Sequence, residues 1–395
     1  MDLTSWRLGV DDRLPRPLSL LARLRPLWSI ALIVSALLNL LIYVDRVQSF
    51  FSKNDFRLYY AGAEVGLRYG WSHIYDTGLE RTAVAALQPA GPWYALLTPA
   101  PITWLVAPLT LLGYSRAYWV WVALSVTALA GAAWYARPRQ HPAALYFIWW
   151  AALGALWFSA YEGQVTILVA AALLVGWRLL EDGRDLLGGA ILALALFKPH
   201  LVLLLPLALL VAGRSRALLG FATLAAAAGI AMLVTLHPDG IQSYLVTVLM
   251  PKPKADTAAT LTTALGGGVA VHAIHVGALI GVIAVAIGAR RTRSTWPVVV
   301  SALLGSFLLA SYWHPQDYLA LDAAAAIMLA AAPLEAGVLV AAAVAIVSAP
   351  AGSLTNRLTS FEVTAAWLLF AFLLLGFLGA RALTVRHSAD PRLNL

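Results

Sequence analysis

The chain has 395 residues, 61% hydrophobic and only 12% charged, with a mean hydropathy of +0.79. Soluble domains carry about twice that share of charge, so the composition excludes a water-soluble fold and calls for lipid as the solvent of the outer faces. The net charge of +8 comes from Arg far more than Lys, in short clusters between apolar runs rather than in a stripe suited to nucleic acid. The absence of cysteine excludes disulfides, thiolate metal sites and Cys nucleophiles.

The first apolar run, Leu27–Val44, is longer than the core of a signal peptide and has no A-x-A cleavage site after it, so it reads as an uncleaved first span. Further apolar segments fall at 93–113, 116–136, 143–160, 164–180, 186–197, 200–212, 217–236, 264–288, 297–312, 318–332, 335–349 and 363–380. Several are short against the ~20 residues that a bilayer core demands. Basic clusters at Arg7 to Arg25, Arg137/Arg139/His141, Arg178/Arg184, Arg214/Arg216, Arg290/Arg291/Arg293 and Arg381/Arg386 mark the cytoplasmic side. The alternation closes if 93–113, interrupted by Pro99, Pro101 and Pro108, folds back without crossing. The expectation is an all-α polytopic membrane protein with about twelve spans, within eleven to thirteen, in a single domain over 1–395.

Two non-cytoplasmic loops stand out, 47–92 and 237–262. The first reads as two helices lying on the membrane surface. One runs over about 55–69 with Phe56, Tyr59, Tyr60, Ala63 and Leu67 on one face, and Asn54 or Asp55 is placed to cap it. The other opens on Thr77-Gly78-Leu79-Glu80, a capping-box pattern.

Charged and polar residues within an apolar chain are the candidates for chemistry. Asp55, in Asn54-Asp55-Phe56-Arg57-Leu58-Tyr59-Tyr60, is either a solvated helix cap or a general base desolvated by its aromatic neighbours. Lys198 lies between apolar runs in Phe197-Lys198-Pro199-His200; it is a snorkelling helix-end lysine or an anion ligand. Glu162 and Gln164 sit in one outer turn, and Trp313, His314, Gln316 and Asp317 in another. Four polar turns converging at one membrane face could line a cavity. His272 and His275 lack a carboxylate and are set aside as a metal pair.

These residues resemble glycosyltransferase family 87, polyprenyl-phosphate-dependent mannosyltransferases of the GT-C superfamily. The resemblance rests on Asp55, Phe56, Tyr59 and Tyr60 followed by Gly70 and Tyr75-Asp76. It continues through Pro101 and Pro108-Leu109, Gly163-Gln164-Val165, Gly188-Gly189, Lys198-Pro199 and Trp313-His314. It departs where an Asn-Gln-Ser element is expected and Lys254-Ala255-Asp256-Thr257-Ala258 stands. It implies a GT-C fold and transfer of a hexose, mannose foremost, from a polyprenyl phosphate to a glycolipid or glycan, with inversion and without a metal or other cofactor. Asp55 would deprotonate the acceptor. Lys198 would stabilise the leaving phosphate, with His314 and Arg57 as secondary ligands. Tyr59, Tyr60, Glu162, Gln164, Trp313 and Gln316 would line the substrate site, and an apolar outer groove would take the lipid tail. Codon-driven use of Ala, Arg and Gly over Lys points to a high-GC bacterium and its plasma membrane. The rival readings are a transporter or flippase of lipid-linked envelope precursors and a silent partner subunit; no two-repeat symmetry favours the former.

Overall fold

The computed structural model describes residues 25–51, 53–87, 93–138, 143–249, 266–292, 294–312 and 314–331. The expected spans at 335–349 and 363–380, the Lys254–Ala258 segment, the terminal basic clusters and Trp313 lie outside them. Every described element is helical, and no strand occurs among the described residues.

Among the described residues fourteen α-helices follow in chain order: α1 Arg25–Phe50, α2 Phe56–Tyr69, α3 Thr77–Leu87, α4 Pro101–Val106, α5 Tyr114–Ala136, α6 Ala143–Ala152, α7 Gly154–Glu162, α8 Thr166–Glu181, α9 Asp185–Ala193, α10 Leu205–Val211, α11 Ser215–Leu249, α12 Val269–Thr292, α13 Trp296–Leu309 and α14 Tyr318–Ala331. Within α1, α5, α11 and α12 lie four stretches long and apolar enough to cross a bilayer. The α6–α7 pair, bent by 63°, makes a fifth if counted as one broken span. The chain is thus a membrane-embedded helical protein. Helix α11 bends at His237 and Pro238, where the ring removes a backbone donor and clashes with the preceding turn. The proline-rich 93–113 stretch holds only α4 and a 3-10 turn over Ala107–Leu112, too short to cross alone.

Breaks in apolar helices expose backbone groups that lipid cannot satisfy. The α6–α7 bend illustrates how the chain meets that demand. The freed Ala152 carbonyl accepts hydrogen bonds from Ser35 Oγ and Asn39 Nδ2 of α1, each at 2.9 Å. Trp157 Nε1 donates to the Ala151 carbonyl at 2.7 Å. Ser35 and Asn39 of α1 thereby serve a bend in the neighbouring helices.

Helices α8, α9 and α11 pack backbone to backbone. Each of Gly176 and Gly188 faces the other's carbonyl, and a methyl on Gly189 would overlap the Ala217 carbonyl oxygen. Close approach of this kind supplies dispersion where lipid offers no hydrophobic drive. The Gly188-Gly189 pair is thereby a packing device.

The 47–92 loop departs from the surface-helix expectation. Helix α2 forms as the periodicity predicts, but its first half is buried on every side: Phe56, Arg57, Leu58, Tyr59, Tyr60, Ala61 and Ala63 are all enclosed. Helices α3, α4 and α5 and the 3-10 turn after α4 surround it. Membrane burial was expected for one face only; protein covers the rest. The capping box of α3 also fails. Asp76 Oδ1 accepts from the amides of Gly78 and Leu79 at 2.9 and 3.0 Å. Glu80 turns inward instead, where burial pushes it up to about 8 and only the Leu96 amide stabilises its charge.

Helix α8 separates two ends. Its start lies at the Glu162–Gln164 turn, while its last residue, Glu181, accepts from the amides of Thr295 and Trp296 at 3.1 Å. Arg178 pairs with Asp182 at this second end, and Arg290 lies beside Gly213. The basic clusters at 178–184, 214 and 290 thus gather about 24 Å, the length of sixteen helical residues, from the polar turns.

Gly189→Ala is expected to lower the thermal midpoint of the detergent-solubilised protein, because the Ala217 backbone cannot yield and α9 must separate from α11. The cost of such overpacking is ~1–3 kcal/mol. An unchanged melting curve would contradict the close packing.

Candidate active site

Asp55 precedes the first residue of α2, yet its side chain makes no capping hydrogen bond. Asn54 does that work: its Oδ1 accepts the Arg57 amide at 3.3 Å and the Tyr114 hydroxyl at 2.8 Å. The Asp55 amide is taken by Glu162 Oε2 at 3.1 Å, a carboxylate where the helix dipole favours one. The Asp55 carboxyl is left for other purposes, which sets aside the solvated-cap reading.

Glu162 ends α7, and Gly163 closes that helix in the left-handed region at φ 63°. A side chain there would be strained, and its Cβ would also sit 2.6 Å from Phe56 Cβ. Gly163 and Gln164 return their amides to Ala160 and Ser159 at 3.1 and 2.8 Å. Tyr118 donates to the Ala160 and Tyr161 carbonyls, and Trp121 Nε1 to the Gly163 carbonyl at 2.8 Å. These backbone groups are satisfied, as a buried turn requires. The turn aims Gln164 at α2. Its Nε2 donates to Asp55 Oδ2, and its Oε1 accepts the Tyr59 hydroxyl at 3.0 Å.

Lys198 sits where Pro199 forbids a continuous helix, between two 3-10 turns, Leu194–Phe197 and Pro199–Leu201. Its Nζ lies 2.6 Å from Asp317 Oδ1. Asp317 ends another 3-10 turn, Pro315–Asp317, and its Oδ2 accepts the His314 amide at 3.1 Å. His200 Nε2 is 3.6 Å from the same carboxylate, and its Nδ1 pairs with the Tyr312 hydroxyl at 3.0 Å. Burial alone would raise the Asp317 carboxyl. The charges of Lys198, His200 and His314, with the His200 hydrogen bond, overcome it and hold Asp317 well below the usual carboxylate range. Lys198 is therefore an ion-paired cation rather than a snorkelling one.

The two halves meet. Ser159 Oγ of α7 donates to the Gln316 carbonyl at 3.3 Å, and the charges of His314, Lys198 and Arg57 all act on Asp55. Burial pushes the Asp55 carboxyl above its ordinary value, with those three charges and the Gln164 hydrogen bond working against it. The site thus sets Asp55, with its raised affinity for protons, beside the Glu162 carboxyl and within electrostatic reach of His314, Lys198 and Arg57.

Of the residues expected to share the site, Asp55, Arg57, Tyr59, Glu162, Gln164, Lys198 and His314 are brought together. Arg57 is fully buried, its guanidinium 5.8 Å from the Tyr94 ring centre. Tyr60 is turned about 100° from Tyr59 around α2 and donates to the Thr110 carbonyl at 3.2 Å. Gln316 is buried and contributes its carbonyl to Ser159. Asp317, His200 and Tyr312 complete the half of the site around Lys198. All three stand in or beside the quoted motifs, and an acid three residues from His314 was the available signal. Among the described residues no group of three or more His, Asp or Glu is placed to hold a metal ion. An apolar groove of about 340 Å³ runs between α1, α5, α6 and α7, lined by Tyr43, Val122, Leu129, Trp150 and Trp157 and reaching Ala160.

Residues 97–333 match the profile of glycosyltransferase family 87. The chain belongs to that family. The matched part carries Glu162, Gln164, Lys198, His314 and Asp317 of this glycosyltransferase. Asp55, Arg57 and Tyr59 precede it and are tied to it by the contacts above. No curated protein and no solved structure matches the chain.

Asp317→Ala removes the ion-pair partner of the buried Lys198 ammonium, and breaking such a pair costs ~3–5 kcal/mol. The expected result is a large fall in thermal midpoint for Asp317→Ala and a smaller one for the Asp317→Ala/Lys198→Met double variant. Equal falls would contradict the pairing. Since Asp317 is held low, the pair's contribution is present above the ordinary carboxylate range and is lost only as pH falls through the depressed value.

Proposed function

We propose that this glycosyltransferase moves a hexose, with mannose as the first candidate, from a polyprenyl phosphate to a hydroxyl of a glycolipid or glycan, with inversion. The observation that carries the reading is the placement of an uncapped, desolvated Asp55 opposite Lys198 and His314. Asp55 takes the acceptor proton. The acceptor oxygen attacks the anomeric carbon as the bond from that carbon to the phosphate oxygen breaks. The phosphate, singly charged as a diester, leaves as a monoester with one more negative charge. Donors aimed at developing charge are the largest common source of rate. Among the described residues Lys198 Nζ gives one hydrogen bond, to Asp317, so two N–H bonds remain for that phosphate. Arg57 adds positive charge and the His314 ring can add a hydrogen bond, and the proposed chemistry includes no metal.

Family membership, with its transfer chemistry, weighs against the transporter reading. The apolar groove beside Ala160 suits the hydrocarbon tail of a lipid-linked substrate. The separation of the site from the basic ends supports a site on the non-cytoplasmic face of a bacterial plasma membrane, within a GT-C architecture of about twelve spans that serves the cell envelope.

The test is transfer of radiolabelled mannose from polyprenyl-phosphate mannose by membranes carrying wild type or Asp55→Asn. Loss of a general base costs ~10²–10⁴-fold, so the variant should lose nearly all transfer. Wild-type turnover by Asp55→Asn would refute the base. Other polyprenyl-linked hexoses run in parallel decide the sugar. Because Asp55 is raised and acts ionised, the rate should fall as pH drops, along a limb lying above the ordinary carboxylate value.

A further inference from the structure

Gln164 lies between two groups of opposite hydrogen-bonding character. The two ends of a carboxamide are alike in shape, and only their partners decide which is nitrogen. An ionised Asp55 can only accept, so the amide nitrogen must face it, as the contact of Nε2 with Asp55 Oδ2 has it. The other end, Oε1, meets the Tyr59 hydroxyl at 3.0 Å. A flipped amide would set Oε1 against the carboxylate, acceptor against acceptor.

Both neighbours are themselves fixed. Tyr59 is 2% exposed and Gln164 3%. Burial, then the charge of Asp55, push the Tyr59 phenol above its ordinary value, so its hydroxyl stays a donor. The Gln164 backbone is held by Ser159, one residue after the left-handed Gly163. On the other side Glu162 holds the Asp55 amide. Acid, amide and phenol thus form a line, Tyr59 to Gln164 to Asp55, that engages one carboxylate oxygen.

The geometry points to Gln164, clamped by Tyr59, as a positioning residue that engages Asp55 Oδ2 and so makes Oδ1 the atom that takes the acceptor proton. This rests on the reading of Asp55 as base. The proton passes from the acceptor hydroxyl to Oδ1, while Oδ2 keeps its bond to Nε2. Neither partner has to turn over during the reaction, so the geometry is preorganised in both protonation states. Catalytic carboxylates have two equivalent oxygens when free; this one does not.

The groups that act on Asp55 are His314, Lys198 and Arg57, the Gln164 amide and the neighbouring Glu162 carboxyl. Tyr59 also feels Asp317. Removing the Gln164 donor leaves the ionised form less stabilised and raises Asp55 further. A reaction that needs ionised Asp55 then loses rate at a higher pH.

The experiment measures the pH dependence of kcat/KM, with kcat and KM separately, for the purified protein in lipid nanodiscs. The variants are Tyr59→Phe, Gln164→Leu, the double variant and Asp55→Asn. Misplacing a reacting group by about 1 Å costs ~10²-fold. Expected are falls of that order in kcat for Gln164→Leu and smaller ones for Tyr59→Phe. The acceptor KM should stay within about threefold, and the acid limb should move to higher pH in both. The double variant should be no slower than Gln164→Leu, since Tyr59 acts only through the amide. The limb's position does not scale with folded yield, so poor expression does not obscure it. Unmoved acid limbs, or effects that multiply in the double variant, would overturn the relay. Activity in Asp55→Asn would overturn the base itself, a separate failure visible in the same series.

Discussion

A charged ammonium among apolar helices must find a counter-charge, and Lys198 finds Asp317 at 2.6 Å. The rest of the site depends on that pair. It joins a break between two short helical turns to the turn that precedes α14, over a sequence separation of 119 residues. With those two turns tied, the α7 end is held by Ser159 on Gln316, and the α7–α8 turn in turn reaches Asp55. Each turn interrupts an apolar helix, so each would expose backbone groups to lipid if it did not meet the others. The polar cluster is thus what makes the breaks tolerable, and the breaks are what bring polar groups inside.

The same arrangement divides labour electrostatically. Buried acids beside cations and buried acids beside amides hold protons differently. Asp317, surrounded by Lys198, His200 and His314, is kept ionised. Asp55, more weakly compensated, is raised. Asp317 and Asp55, with opposite shifts in one site, form a pattern that serves acid–base work, the first holding Lys198 in place and the second able to trade a proton. Family 87 membership gives this pattern a reaction class; the positions of the charges give it a direction.

Much of this was legible in the sequence because an apolar chain makes polar residues conspicuous. Asp55, Lys198, Glu162, Gln164 and His314 stood out for that reason alone. What the sequence concealed were pairings. Asp317 appears in the same turn as His314, but nothing local says that its partner is Lys198. His200 reads as a residue after a proline until Tyr312 is seen against it. Helix α2 showed the period of a surface helix, and one-dimensional patterning cannot tell a face toward lipid from a face toward α5. Asn54 and Asp55 were equally good caps on paper; the Tyr114 hydroxyl, 60 residues away, favours Asn54. The helix break at Leu153 was missed, since its compensation comes from Ser35 and Asn39 of α1; at Lys198 the following proline marks the break, and only the partner, Asp317, was hidden.

The central claim is spatial: phosphate on the Lys198–His314 side, sugar between, base opposite. The measurement that addresses it most directly is a structure of the protein in lipid nanodiscs with a non-hydrolysable polyprenyl-phosphate sugar bound. The account predicts the phosphate within ion-pair distance of Lys198 and His314, with the face of the anomeric carbon away from the phosphate open toward Asp55. A donor phosphate seated instead among Arg178, Arg214 and Arg290, at the far end of α8, would contradict it.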